Sequence, residues 1–192
     1  VVRGQIPKLA KSMGTFIAQA KKACLTPLDL DKKLVSFQFK SEKEEIFVKL
    51  ATRIYGRYQH ALTRENRLDF DDVISKAVEK VHQEKGEISI QIDDRSSIRL
   101  DDIKWIMIDE YQDFSQLFYN LIDSLRSYNP EVKLFCVGDS WQAINGFAGS
   151  NLKFFDNFID YFEDSTVLDL PDNYRSQSNI VDQANAFMKG KD

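Results

Sequence analysis

Apolar residues in the first 85 positions recur with a helical period. Ile6 to Leu25 is broadly amphipathic. Thr26-Pro27-Leu28-Asp29 then reads as a helix start, with Thr as N-cap, Pro at the first helical position and an acid at the third. Ser41-Glu42-Lys43-Glu44 is a capping-box pattern. Behind it Ile46, Leu50, Ile54, Tyr58 and Leu62 recur every four residues, which predicts one apolar face of a long helix. Asp69-Phe70-Asp71-Asp72 starts another, and Phe70, Val73, Ile74, Ala77, Val78 and Val81 form its expected buried stripe. Such stripes make a core and carry no function by themselves.

Glu84 to Glu87 is a polar break. After it the period changes. Ile88, Ile90 and Ile92 alternate with polar residues, as do Ile98 and Leu100, which predicts two short half-exposed strands around residues 93–97. A boundary therefore falls near residues 86–100. From residue 104 the order is strand, helix, strand, helix, strand, helix. The expected strands are Lys104–Ile108, Lys133–Val137 and Thr166–Leu170, and the helices about Ser115–Ser127, Asn151–Phe162 and Ser176–Lys189. Such alternation predicts an α/β fold: a parallel sheet with helices on its faces, preceded by a mainly helical subdomain. The run Trp105-Ile106-Met107-Ile108 reads as a strand buried on both faces.

Composition changes this picture little. Of 192 residues, 43% are hydrophobic and 29% charged, ordinary for a chain with a real core. No apolar run approaches the ~20 residues of a membrane span, and no signal-peptide pattern opens the chain. No membrane contact and a cytoplasmic location are expected. Cys24 and Cys136 read as reduced, packed thiols. His60 and His82 stand alone and read as helix-surface residues, so nothing suggests zinc. Charge is more informative. Residues 1–85 carry 17 Lys/Arg and 11 Asp/Glu, a net +6, and residues 86–192 carry 9 and 19, a net −10. A basic half joined to an acidic half suggests a polyanion-facing lobe beside a metal-using lobe, although solvated helix faces give the same totals.

Chemistry gathers at the strand ends. The first strand runs into Asp109-Glu110-Tyr111-Gln112-Asp113. Acids are costly to bury, so these should surface at the carboxyl edge, where open α/β sheets bind ligands. Strands also end in acids simply on reaching solvent. The second strand leads to Gly138-Asp139-Ser140-Trp141-Gln142, and the third to Asn173-Tyr174-Arg175-Ser176. Acids, a glutamine and an arginine on three strand ends make a kit for a nucleoside triphosphate: carboxylates for Mg²⁺ and water, Gln for the γ-phosphate, Arg for transition-state charge.

At these residues the chain resembles the superfamily 1 DNA helicases of the UvrD/Rep type. Ile108-Asp109-Glu110-Tyr111-Gln112-Asp113 is similar to motif II, the Walker B element. Val137-Gly138-Asp139-Ser140-Trp141-Gln142-Ala143-Ile144 with Gly146-Phe147 is similar to motif III, and Asn173-Tyr174-Arg175-Ser176 to motif IV. Leu68-Asp69-Phe70-Asp71-Asp72-Val73-Ile74 resembles a segment that precedes motif II. The form of motif III is most similar to the helicase IV subgroup. The resemblance covers about residues 68–190. It implies a partial RecA-like sheet of the P-loop NTPase kind: residues 1–100 as a 1B-like helical subdomain with a short β segment near 88–100, residues 101–172 as the second half of the first RecA-like domain, and residues 173–192 as motif IV and the start of the second motor domain. It implies ATP and Mg²⁺ as cofactors, single-stranded and partly duplex DNA as partners, 3′ to 5′ movement and a monomer. By position, Asp109 would bind Mg²⁺, Glu110 would activate water, Gln142 and Arg175 would reach the γ-phosphate, Tyr174 would stack on adenine, and Phe147 would stack on a DNA base. The alternative for Phe147 and Tyr174 is an ordinary core aromatic, and Trp141 reads as core packing.

Asn145 and Ala148 stand where many members of that family have Tyr and Arg. No Gly-x-x-x-x-Gly-Lys-Ser/Thr loop occurs, and Gly14 and Gly56 lie isolated in helical patterns. The chain is thus expected to be an internal piece of an ATP-dependent helicase, inactive when isolated. The alternative is a non-catalytic remnant that binds DNA or a partner. A Mg²⁺ nuclease would need more converging acids.

Overall fold

The computed structural model describes residues 5–94, 96–143 and 150–188. The chain divides into two compact units, residues 1–158 and 159–192.

The first unit opens with four helices: α1 (Ile6–Lys22), α2 (Pro27–Leu34), α3 (Glu42–Arg64) and α4 (Phe70–Gln83). Three starts follow the expected cap chemistry. The Thr26 hydroxyl accepts from the Asp29 N–H while the Asp29 carboxylate accepts from the Thr26 N–H. Asp69 and Asp72 form the same reciprocal box at α4, and Ser41 caps α3. α1 packs on α3 and α4, and α2 packs on α3. Ile17, Ala20 and Tyr55 are buried together, with Leu25, Leu30 and Ile54 against them.

The inward face of α3 differs from the expected one. Ala51, Thr52 and Tyr55 are buried, whereas Ile46, Leu50 and Tyr58 are exposed. The reason is geometric. A four-residue step turns ~400° around a helix of 3.6 residues per turn, so the row drifts ~40° at each step; it starts opposite the Ala51–Tyr55 face and approaches the core side only toward the half-buried Leu62. On α4, Val81 is buried, but Phe70 and Val73 are exposed rather than part of a buried stripe.

Strands β1 (Ser89–Asp93) and β2 (Ser96–Arg99) are the two short strands expected; they pair antiparallel and are exposed along their whole length rather than half-exposed. Strands β3 (Trp105–Ile108) and β4 (Lys133–Cys136) then pair in parallel, Trp105 opposite Lys133 and Ile108 opposite Cys136. They are joined by α5 (Gln116–Tyr128), which packs on α4. The buried Asn129, just past α5, donates to the carbonyls of Leu100 and Ile103, both at 2.8 Å. That bond pair ties the end of α5 to the turn that launches β3.

The sheet is smaller than expected. Among the described residues it has two parallel strands, and Thr166–Leu170 is not a strand. A lone apolar run cannot satisfy its backbone groups without a partner ladder, and Val167, Leu168 and Leu170 are exposed. Nor is β3 buried on both faces. Ile106 and Ile108 are half-buried, whereas Trp105 and Met107 are exposed, as is Phe135 on β4. Neither Cys24 nor Trp141 is packed in a core, since both are exposed. His60 and His82 are on helix surfaces as expected.

The expected helix Asn151–Phe162 is two short ones, α6 (Lys153–Asp156) and α7 (Phe158–Tyr161). The second unit, considered by itself, contains α8 (Ser178–Met188), preceded by irregular chain and the Asn173 turn. Among the described residues no helix is long and apolar enough to cross a membrane.

Candidate functional site

The site begins where β3 and β4 end. The ladder continues past both strands: the Val137 N–H donates to the Ile108 carbonyl at 2.9 Å, and the Tyr111 N–H to the Val137 carbonyl at 2.9 Å. Residues 109–112 and 137–142 are therefore side by side at one edge, as the βα order predicts for parallel strands.

Asp109 and Glu110 are both exposed there. Asp109 Oδ1 accepts from the Glu110 N–H at 2.9 Å, which fixes the carboxylate against its own backbone. Glu110 has φ 52° and ψ 43°, the left-handed region. For a residue with a Cβ this costs about 1–2 kcal/mol, and the surroundings must hold it there. They do so through the next residue. Tyr111 is buried against Phe114, with ring centroids 4.6 Å apart, and against Phe158 at 5.4 Å. Phe154, fully buried, meets Phe114 edge-on at 5.6 Å. This aromatic floor anchors the short turn Tyr111–Asp113, and the two acids stand on its solvent side.

Gln142 lies in the facing turn, Ser140–Gln142, and is exposed. Asp139 holds it. Asp139 Oδ1 accepts from the Trp141 N–H at 3.0 Å, and Oδ2 from Gln142 Nε2 at 2.9 Å. The two turns are joined by Gln112, which is buried. Its Nε2 donates to Glu110 Oε2, and its Oε1 accepts from the Asp139 N–H at 3.0 Å. Gly138 makes the approach possible. A Cβ there would lie 2.7 Å from Gln112 Oε1 and 3.0 Å from the Tyr111 nitrogen.

Asp109, Glu110 and Gln142 thus share one edge of the first unit. Tyr174 and Arg175 belong to the second, where Asn173 Oδ1 accepts from the N–H groups of Arg175 and Ser176, each at 3.0 Å. Tyr174 is 93% exposed, which excludes a core role for it within the described chain. Phe147 lies outside the described residues, as do Asn145 and Ala148. Sequence reasoning gave no role to Gln112, Gly138 or Asp139. The signal was present in part: a lone amide in an aromatic turn and a glycine directly after a strand. Lys21 carried no signal, being one of many lysines in α1.

Lys21 is the polar centre of the helical lobe. Its ammonium lies 2.6 Å from Asp69 Oδ2 and 2.7 Å from Asp72 Oδ1. The Tyr58 hydroxyl donates to Asp69 at 2.9 Å, and Gln59 Nε2 to Asp72 at 2.9 Å. The acids of the segment before motif II therefore cap α4 and bind α1 and α3 to it. On α3 a depression of about 530 Å³ runs along Arg53, Gly56, Arg57, His60, Ala61 and Arg64. Arg53, Arg57, His60 and Arg64 are all exposed.

A helical lobe followed by parallel strands that present paired acids and a glutamine at their carboxyl edge is a mixed α/β chain built around a strand-end site. It belongs to the UvrD/REP helicase family, whose N-terminal domain matches residues 4–163. It is 33% identical over 142 residues to DNA helicase IV of Escherichia coli (strain K12), covering 74% of this chain and 19% of that protein. It is 31% identical over 156 residues to ATP-dependent DNA helicase UvrD1 of Mycobacterium leprae (strain TN), covering 77% and 19%. To ATP-dependent DNA helicase PcrA of Staphylococcus epidermidis it is 28% identical over 173 residues, covering 90% and 21%. The chain spans about a fifth of the length of these curated relatives.

Proposed function

We propose that this chain is part of an ATP-dependent DNA helicase that moves 3′ to 5′ on single strands. Within it, residues 101–172 act as half of a RecA-like motor domain and residues 1–100 as a 1B-like lobe, with residues 173–192 leading into the second motor domain. The observation that carries the reading is the juxtaposition of Asp109, Glu110 and Gln142 on adjacent parallel strand ends, tied through Gln112 and Asp139.

The donor set fits Mg²⁺ bound together with a nucleotide. Among the described residues no three His, Cys, Asp or Glu side chains could cage a metal. Mg²⁺ keeps several waters and needs only one or two carboxylates beside substrate phosphates. Asp109, exposed and fixed by the Glu110 N–H, supplies one such carboxylate. Bound Mg²⁺ would neutralise charge on the phosphates. Glu110 would orient and deprotonate the attacking water, Gln142 would contact the γ-phosphate, and Arg175 would offset the charge that develops there. Tyr174, already exposed, would stack on the base of ATP, and Phe147 on a base of single-stranded DNA. The basic row on α3 supports contact with partly duplex DNA. Three strand-end groups of this kind favour turnover over a non-catalytic remnant or a two-metal nuclease.

The test is Glu110→Gln in the full-length protein that carries this segment. DNA-stimulated ATP hydrolysis should fall at least ~100-fold while ATP still binds. Intact hydrolysis would sink the assignment. The purified 192-residue chain should show no turnover, and measurable ATP hydrolysis by it would refute that part.

A further inference from the structure

We infer that Gln112 is a positioning residue that couples the Glu110 carboxylate to the strand end carrying Gln142. The inference rests on the reading of Glu110 given above.

Gln112 is 2% exposed, between the exposed Glu110 on one strand end and the exposed Asp139 on the other. A primary amide donates from nitrogen and accepts at oxygen. Gln112 uses both ends, each toward a different strand end. Its nitrogen donates to Glu110 Oε2, and its oxygen accepts from the Asp139 N–H at 3.0 Å. Asp139 in turn restrains Gln142 through Oδ2 at 2.9 Å. One buried side chain therefore connects the acid of the first turn to the glutamine of the second. Gly138 leaves the amide room, because any Cβ there would lie 2.7 Å from Gln112 Oε1.

If Gln112 only closed the strand ends, its acceptor would suffice, since the bond to the Asp139 N–H does that work. The donor toward Glu110 adds nothing to the pairing of the strands. It does fix the direction of a carboxylate whose backbone is already held in the left-handed region. A displacement of the Asp139–Gln142 turn would reach the Glu110 carboxylate through this amide. Gln112 would thus make hydrolysis responsive to whatever moves Gln142.

The deciding variant is Gln112→Glu in the full-length protein. It keeps length, shape and the acceptor for Asp139, and replaces the donor by an oxygen facing Glu110. The expected result is a kcat at least ~10-fold lower, with KM for ATP and the dissociation constant for single-stranded DNA each within ~3-fold of the parent. Gln112→Met, neutral and of similar length, is read in parallel and decides if the Glu variant does not fold. A kcat within twofold of the parent overturns the inference. So does a proportional loss of turnover, ATP binding and DNA binding, and so does failure of both variants to fold, since each marks a structural role only. Glu110→Gln is measured alongside. Retained turnover there removes the reading of the whole site. Lost turnover there with an unaffected Gln112→Glu removes this inference alone.

Discussion

Lys21 and Asp69 meet at 2.6 Å although 48 residues separate them in the chain. The Lys21 side chain is 5% exposed, and Asp72 Oδ1 lies 2.7 Å away on its other side. Burying an ammonium is tolerable only with such partners. Lys21→Met should leave two carboxylates facing each other without a cation and destabilise the chain by about 3–5 kcal/mol. Urea unfolding of Lys21→Met, alone and with Asp69→Asn and Asp72→Asn, checks this. The triple variant should recover much of the loss, because it removes the uncompensated charge. Equal stability of Lys21→Met and the parent would mean that the triad contributes nothing.

The same triad predicts an acid edge. Burial pushes the Asp69 carboxyl up, but the Lys21 ammonium, the Asp72 N–H and the Tyr58 hydroxyl outweigh it and hold the group below its ordinary 3.8. A carboxyl with a lowered folded pKa contributes stability that is fully present above its unfolded value. That contribution is lost as pH falls through the folded value. Stability should therefore decline as pH falls below about 4. Asp71, raised by burial, opposes this. Asp69→Asn should flatten the acid limb in urea titrations across pH 2–5, and an unchanged limb would count against it.

Cys136 sets an alkaline edge. Burial alone pushes its thiol from 9.0 up to about 12. The folded pKa is raised, so the contribution is whole below 9.0 and is lost as pH rises toward 12. Tyr55, buried and pushed up from 10.0 to about 12 chiefly by that burial, loses stability over the upper part of that window. Cys136→Val should lose less stability between pH 9 and 11 than the parent, as read by chemical unfolding at each pH.

Gly138→Ala should destabilise the chain by about 1–3 kcal/mol, because the new methyl overpacks against backbone nitrogen as well as the Gln112 amide. A midpoint unchanged in urea would show that the turn relaxes freely.

The pattern of apolar and polar positions located the helix starts, the two short strands after the polar break and both parallel strands, because caps and period depend on neighbours in sequence. Asp109, Glu110 and Gln142 were legible for the same reason: each directly follows a strand or opens the next turn. Burial was less legible. Which side of α3 faces inward depends on where α1 and α2 pack, and the four-residue row of Ile46 and Leu50 carries no such information. Thr166–Leu170 has strand composition but no ladder partner among the described residues. Gln112 escaped notice because its role depends on a contact with Asp139, 27 residues away.

Arg53, Arg57, His60 and Arg64 occupy an arc of ~60° on α3, as steps of four, three and four residues dictate. Cations near a helix C-terminus complement the helix dipole, but that effect fades within the last turn, and Arg53 and Arg57 lie well before it. Arg64 contacts Glu65 only at 3.4 Å. Three exposed arginines, Arg53, Arg57 and Arg64, along a row of this length fit phosphates along a nucleic-acid backbone, a contact that ignores base sequence and weakens with salt. Each phosphate neutralised steepens the dependence of log K on log salt by ~0.9. Arg53→Glu with Arg57→Glu should therefore make the slope shallower by about two, and lower duplex affinity at least ~10-fold near 0.1 M salt. Fluorescence anisotropy of a labelled duplex over a salt series measures both quantities. Glu42→Gln, at the far end of the same helix, serves as the control and should leave both unchanged. An unaltered slope in the double variant would assign the basic row to solvation alone.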